Sequence, residues 1–198
     1  MILTEKFKRW VYFVSTPLRH KYTHWKLYRD KVKPLKILRF PHYVLTRRAD
    51  EVKVFDNKLK MLIGQMMMTM QNVPWGKAAG LAAPQVGRSL RLFLTTTEIF
   101  INPTMTKTTL ERECKEGCFS LEPNKFDYPV KRAQSVWVKF QDVEGGWHNE
   151  KYNGFEAEVI AHEYDHLDGH CLASGDIKLT AWQKVLFFFQ ALRYKLGI

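Results

Sequence analysis

The chain has 198 residues, 45% of them hydrophobic, and a formal net charge of +11. That is enough apolar material for one globular domain with a sizeable core. No apolar run approaches the ~18 residues of a membrane span, and three cysteines, an odd number, argue against a disulfide framework. The charge is uneven: residues 1–36 carry ten Lys or Arg against two acids, residues 177–198 four against none, and the middle seventeen against eighteen. A near-neutral body with two basic ends suits a polyanionic partner held in a salt-dependent way.

In chain order, Thr4 to Val14 has the spacing of an amphipathic helix, with Phe7, Trp10, Val11 and Val14 on one face. Three readings of this arm stay open: an organellar transit peptide, a surface element lying on membrane or RNA, and a solvated arm folded over the domain. Asp56 to Gln71 reads as a helix, with Asp56 as N-cap and Leu59, Leu62, Ile63, Met66 and Met70 on the buried face; Met66 to Met68 read as packing. Asn72 to Ala79, broken by Pro74 and Gly76, is a loop leading to Gly80 and Gln85. Strands are expected over Arg91 to Leu94, Glu98 to Ile101, Cys118 to Leu121 and Val136 to Val143, and Gly145-Gly146 turns the last back into Trp147 to Tyr152.

His162-Glu163-Tyr164-Asp165-His166 lies in a predicted helix with Asn153 as N-cap and Gly169 closing its C-terminus. Residues four apart share a helix face, so His162 and His166 present two imidazoles to one metal while Glu163 reaches the water on it. Strands ahead of this helix predict a single α+β domain of mostly antiparallel sheets packed around it. Finally, Leu179 to Leu196 reads as a basic helix capped by Thr180 and Gln183. Its apolar face of Trp182, Val185, Leu186, Phe189 and Leu192, widened by Phe187 and Phe188, is broad enough for a partner as well as its own domain.

Two more stretches offer chemistry. Glu116-Gly117-Cys118-Phe119-Ser120 supplies a thiol, and Gly80-Leu81-Ala82-Ala83-Pro84-Gln85-Val86-Gly87 a side-chain amide between glycines. With these and His162 to Gly169 in that order, the chain resembles the peptide deformylases, which remove the formyl group from the starting methionine of new polypeptides. The resemblance runs from about Leu35, through Ile37-Leu38-Arg39-Phe40-Pro41 and Ile101-Asn102-Pro103, to about Asp176. It divides the chain into a basic aromatic extension (1–36), a catalytic domain (37–176) and a C-terminal helix (177–198).

The resemblance implies Cys118, His162 and His166 as metal ligands, with a fourth position open for water. Glu163 becomes the general base, and the Gln85 amide and the Phe119 backbone N–H become donors to the formyl oxygen. Gly80 hydrogen-bonds the formyl-methionyl nascent peptide. The metal it implies is Fe(II), with Zn(II) as a substitute. The extended zinc-peptidase pattern fails, since its third histidine position is Leu172. Formyl-methionine initiation places such an enzyme in a mitochondrial or other organelle matrix or in a bacterial cytoplasm. The basic ends add the ribosome or rRNA as a partner and, as an alternative function, a deformylase-like docking component. Against the family pattern, Ala78 replaces a glycine, Phe119 a leucine and Ala161 a glutamine, Glu122-Pro123 stands where a proline follows directly, and Glu158 stands where arginine or an apolar residue is more common. Cys114 and Cys171, and His20, His24, His42, His148 and His170, read as structural or solvated.

Overall fold

A computed structural model describes residues 32–73, 78–107, 110–121 and 128–172, together with Val185, Phe188, Phe189, Leu192 and Leu196. Among these, helix α1 spans Asn57–Gln71, and the Asp56 carboxylate accepts from Leu59 N at 2.9 Å, a cap worth about 1 kcal/mol. All five apolar residues expected on its inner face are buried, as is Met67. Each such side chain contributes on the order of 1.5–3 kcal/mol by leaving water.

Seven strands follow among the described residues: β1 Gly80–Ala82, β2 Leu92–Thr95, β3 Ile99–Lys107, β4 Glu111–Glu116, β5 Tyr128–Ala133, β6 Ser135–Gln141 and β7 Trp147–Asn153. They form an antiparallel five-stranded sheet, β1-β2-β3-β6-β7, and a separate β4-β5 pair. Helix α2, Phe155–Leu167, carries the histidine pair. The first three strands alternate between two cores: Leu81, Leu92, Leu94, Ile99 and Ile101 face α1, whereas Ala82, Phe93 and Phe100 join Ile160 and Leu167 of α2. Strands covered on both faces read as continuous apolar runs. Strand β6 has one dry face, with Val136, Val138 and Phe140 buried and Trp137 and Lys139 exposed. The single α+β domain packed around the histidine helix is thus the observed architecture.

Several local expectations need correction. Cys118 to Leu121 is a turn rather than a strand, closed by Leu121 N donating to Cys118 O at 3.1 Å; the ladder of β4 ends at Glu116. Asn153 is not a helix cap, because its backbone is spent on the β7 ladder opposite Ser135; the cap position falls to Gly154, whose φ of 62° favours glycine. The Gly80 stretch is a short strand followed by a 3-10 turn, Ala83–Val86. Strand β3 runs past Ile101 through a register shift at Asn102, which sits at φ 49° and binds Val52 N, Val52 O and Gln141 Oε1, each at 2.8 Å. Strands β4 and β5 were not anticipated.

The N-terminal arm to residue 31, Glu122-Pro123 and most of the segment 177–198, where a helix was expected, lie outside the described residues. Val185, Phe188, Phe189, Leu192 and Leu196 are helical and exposed. Among the described residues no helix is long and apolar enough to cross a membrane.

Candidate metal centre

The i, i+4 spacing on α2 sets His162 and His166 side by side, with ring centroids 5.1 Å apart. The 118–121 turn brings Cys118 to them: its Sγ lies 3.2 Å from His166 Nε2, and the ligand atoms of all three residues lie within 4.8 Å of one another. Strand β1 and the following 3-10 turn approach from the other side. Gln85 Oε1 accepts from Ala82 N at 2.8 Å, which fixes the amide so that Nε2 points at Cys118 Sγ (3.7 Å) and Ser120 Oγ (3.3 Å). Gly80 abuts Glu163 so closely that a Cβ there would stand 2.6 Å from Oε1. Phe119, next to the thiol, is half-buried against the α1 core. All seven residues expected at the site therefore converge.

Three further residues hold the histidine helix to the β4–β5 pair. Glu116 Oε2 accepts from His162 Nδ1 at 2.9 Å, which leaves His162 Nε2 free to ligate. Arg132 on β5 donates to both Glu116 oxygens (2.7 and 2.8 Å) and to Asp165 Oδ2 (2.6 Å). Arg112 on β4 pairs with the buried Glu158 one turn before His162. The unusual acid at 158 is thus matched by a base across the interface. Glu116 stood inside a motif; Arg112 and Arg132 have no local sequence signal. Of the histidines read as structural, His42 caps the Tyr43–Thr46 turn through Val44 N, and His148 pairs with Asp142 Oδ2 at 2.7 Å.

The electrostatics suit a cation. Hydrogen bonding with Cys171, then burial, push the Cys118 thiol well above its ordinary value, so a nearby positive charge is needed to ionise it. Burial first, and the His162 charge second, hold His166 well below the usual histidine range, leaving a neutral donor ring. Burial opposes protonation of His162, but the Glu116 hydrogen bond and the Glu163 and Glu116 charges outweigh it and raise its pKa. Burial pulls Glu116 up, yet the Arg132 and His162 hydrogen bonds bring it down to about 2. Burial lifts Glu163 to about 7, and its Oε2 is buried with no hydrogen-bond partner among the described residues. A thiol, two imidazoles and an adjacent unsatisfied carboxylate fit a divalent transition metal with an open position.

The profile of the polypeptide deformylase family matches residues 34–176. A peptide deformylase of Dictyoglomus thermophilum is 38% identical over 141 residues, 69% of this chain and 89% of the relative. Among solved structures, the peptide deformylase from Thermotoga maritima is 35% identical with a TM-score of 0.64, covering 69% of this chain and 92% of that one. The Plasmodium falciparum peptide deformylase in complex with an inhibitor is 31% identical with a TM-score of 0.65, covering 78% and 96%. With the pattern, the architecture and the Cys-His-His cluster in agreement, the chain belongs to the peptide deformylase family, metal-dependent enzymes that remove the N-formyl group from new polypeptides.

Proposed function

We propose that this chain deformylates the initiator methionine of nascent polypeptides with Cys118, His162 and His166 as metal ligands and Glu163 as the proton carrier. The observation that carries this reading is the convergence of three donors within 4.8 Å beside a buried carboxylate with one unsatisfied oxygen. A divalent metal held there supplies Lewis acidity and a water whose pKa falls from about 16 towards about 7.

Glu163 takes the proton of the attacking water at Oε2 and returns it to the amine as the C–N bond of the formyl group breaks. Gln85 Nε2, held in place by Ala82 N through Oε1, donates to the formyl oxygen as negative charge grows there, together with the backbone N–H of Phe119. Gly80 binds the peptide backbone, and its missing side chain leaves Glu163 room to sit beside the scissile bond. Glu116 and Arg132 keep His162 in the tautomer that ligates through Nε2.

Fe(II) is the metal we assign, with Zn(II) its substitute; thiolate and imidazole donors suit both. The basic segments 1–36 and 177–198 support docking on the ribosome or rRNA around a catalytic domain of 37–176, a docking tested by salt-dependent co-sedimentation. The compartment follows the substrate: a bacterial cytoplasm, a reading supported by likeness to the Dictyoglomus and Thermotoga relatives, or a mitochondrial or other organelle matrix, to which the basic arm points. Formate release from a formyl-Met tripeptide by anaerobically Fe(II)-loaded protein tests the reaction. Turnover abolished by chelation and by Cys118→Ala is expected; turnover that survives both refutes the metal site.

A further inference from the structure

The function proposed above makes no use of the outer side of the β6–β7 hairpin. Its inner side is fully engaged: Val136, Val138, Phe140 and Tyr152 are buried in one cluster with Ala157, Ile160 and Leu167 of α2. Strand alternation sends Trp137, Lys139, Trp147 and Lys151 to the other side, away from the metal helix. Trp137 is 46% and Trp147 56% exposed there, so neither ring belongs to the core.

The four side chains form two couples. Trp137 stands directly opposite Lys151 in the ladder, and Lys139 Nζ lies 4.9 Å from the centroid of the Trp147 ring. Trp147 is opposite Gln141, four residues along β6 from Trp137, so roughly 13 Å of strand separates the rings. Thr104, Thr106 and Asn149 surround them as exposed polar groups on the same side. The one acid of β3, β6 and β7, Glu150, is opposite Val138 and therefore on the inner side. The outer face thus carries two exposed rings, two cations and no anion from these strands.

Charge decides what such a face complements. Two-fold pairing with a second copy would set lysines against lysines, and the chain's own basic segments 1–36 and 177–198 meet the same repulsion. An anion that brings flat rings of its own matches both features. We propose that the outer face of the β6–β7 hairpin binds single-stranded RNA, with bases stacked on Trp137 and Trp147 and phosphates held by Lys139 and Lys151. Stacking needs unpaired bases, which selects single strands over duplex. The choice of RNA over DNA rests on the nascent-chain substrate of the proposed function; the face itself is independent of the metal site. Because α2 packs on the opposite side of the sheet, a strand held here leaves the metal centre open.

The test uses the full chain and fluorescence anisotropy with labelled oligouridine and, in parallel, an RNA duplex of the same length, each over a salt series. Trp137→Leu and Trp147→Leu should each weaken oligouridine binding by roughly 5-fold or more, while duplex binding, governed by charge, stays within about two-fold. Trp137→Phe and Trp147→Phe keep a ring and should retain most of the single-strand affinity. Lys139→Gln with Lys151→Gln should lower the salt slope for oligouridine by about 1.4. Photo-cross-linking of the unaltered protein to bromouridine-substituted RNA should mark peptides containing Trp137 and Trp147, a readout that needs no variant to fold. Unchanged oligouridine binding in the leucine variants, equal losses for single strand and duplex, or cross-links confined to 1–36 and 177–198 would each overturn the proposal. So would a dimer, or binding to phosphatidylserine vesicles, that the leucine variants abolish while RNA binding persists. None of these readouts uses formate release, so failure here is separable from failure of the proposed reaction.

Discussion

Replacing Arg132 with methionine removes the cation that joins Glu116 to Asp165 while keeping most of the side chain's volume. Both Arg132 and Glu116 are about nine-tenths buried. Removing one partner of such a pair leaves a buried charge uncompensated and costs about 3–5 kcal/mol at pH 7. The pH dependence gives the sharper check. Glu116 has a folded-state pKa of about 2 against an ordinary 4.5, a gap that corresponds to about 3 kcal/mol. Because the folded value is the depressed one, this stabilisation is fully present above about pH 4.5 and is lost as the pH falls towards 2. In Arg132→Met, burial is no longer outweighed by the guanidinium, so the Glu116 carboxyl moves up and acid relieves the defect. Urea unfolding of both proteins, metal-free and in chelator, should show a deficit largest at pH 7 that narrows by pH 4. Adding Glu116→Gln should recover more than half of it, since the uncompensated charge is then gone. A deficit under about 1 kcal/mol at pH 7, or one constant from pH 7 to 4, would refute the reasoning.

Other predictions read different parts of the structure. Gly80→Ala, whose Cβ would stand 2.6 Å from Glu163 Oε1, displaces the carboxylate and should lower kcat/KM by roughly 100-fold at unchanged metal content, measured by formate release with metal analysis. Gly169→Ala adds a Cβ 2.8 Å from Arg47 backbone atoms at a φ of 79°, and denaturant melts should show a loss of at least about 2 kcal/mol. Arg112→Leu strands the buried Glu158; since the arginine is 39% exposed, the loss should be about 1–2 kcal/mol, with the double variant Arg112→Leu/Glu158→Leu restoring it in the same melts.

How far the sequence discloses this protein depends on whether the relevant physics is local. Helix α1 was legible because its cap and its apolar spacing lie within sixteen residues, and β6–β7 because alternation and the Gly145-Gly146 turn adjoin. Strand β4, Glu-Arg-Glu-Cys-Lys-Glu, shows no apolar alternation; it is a strand because β5 pairs with it and because Arg112 and Glu116 find partners on α2. Cys118 to Leu121 looked like a strand by composition, yet its backbone closes a turn that delivers the thiol to the histidines. The histidine pair and its glutamate were visible from helical spacing alone. The groups that orient them were not all so, because Arg132 acquires its meaning only through contacts across the fold.

The most direct test of the account compares Glu163→Gln with the parent, both loaded anaerobically with Fe(II) to the same stoichiometry, in formate release from a formyl-Met tripeptide. The substitution leaves Cys118, His162 and His166 in place and removes the proton carrier, so metal content should match while turnover falls roughly 100- to 10,000-fold. Turnover within a few fold of the parent at equal metal content would contradict the role assigned to Glu163, and with it the central claim.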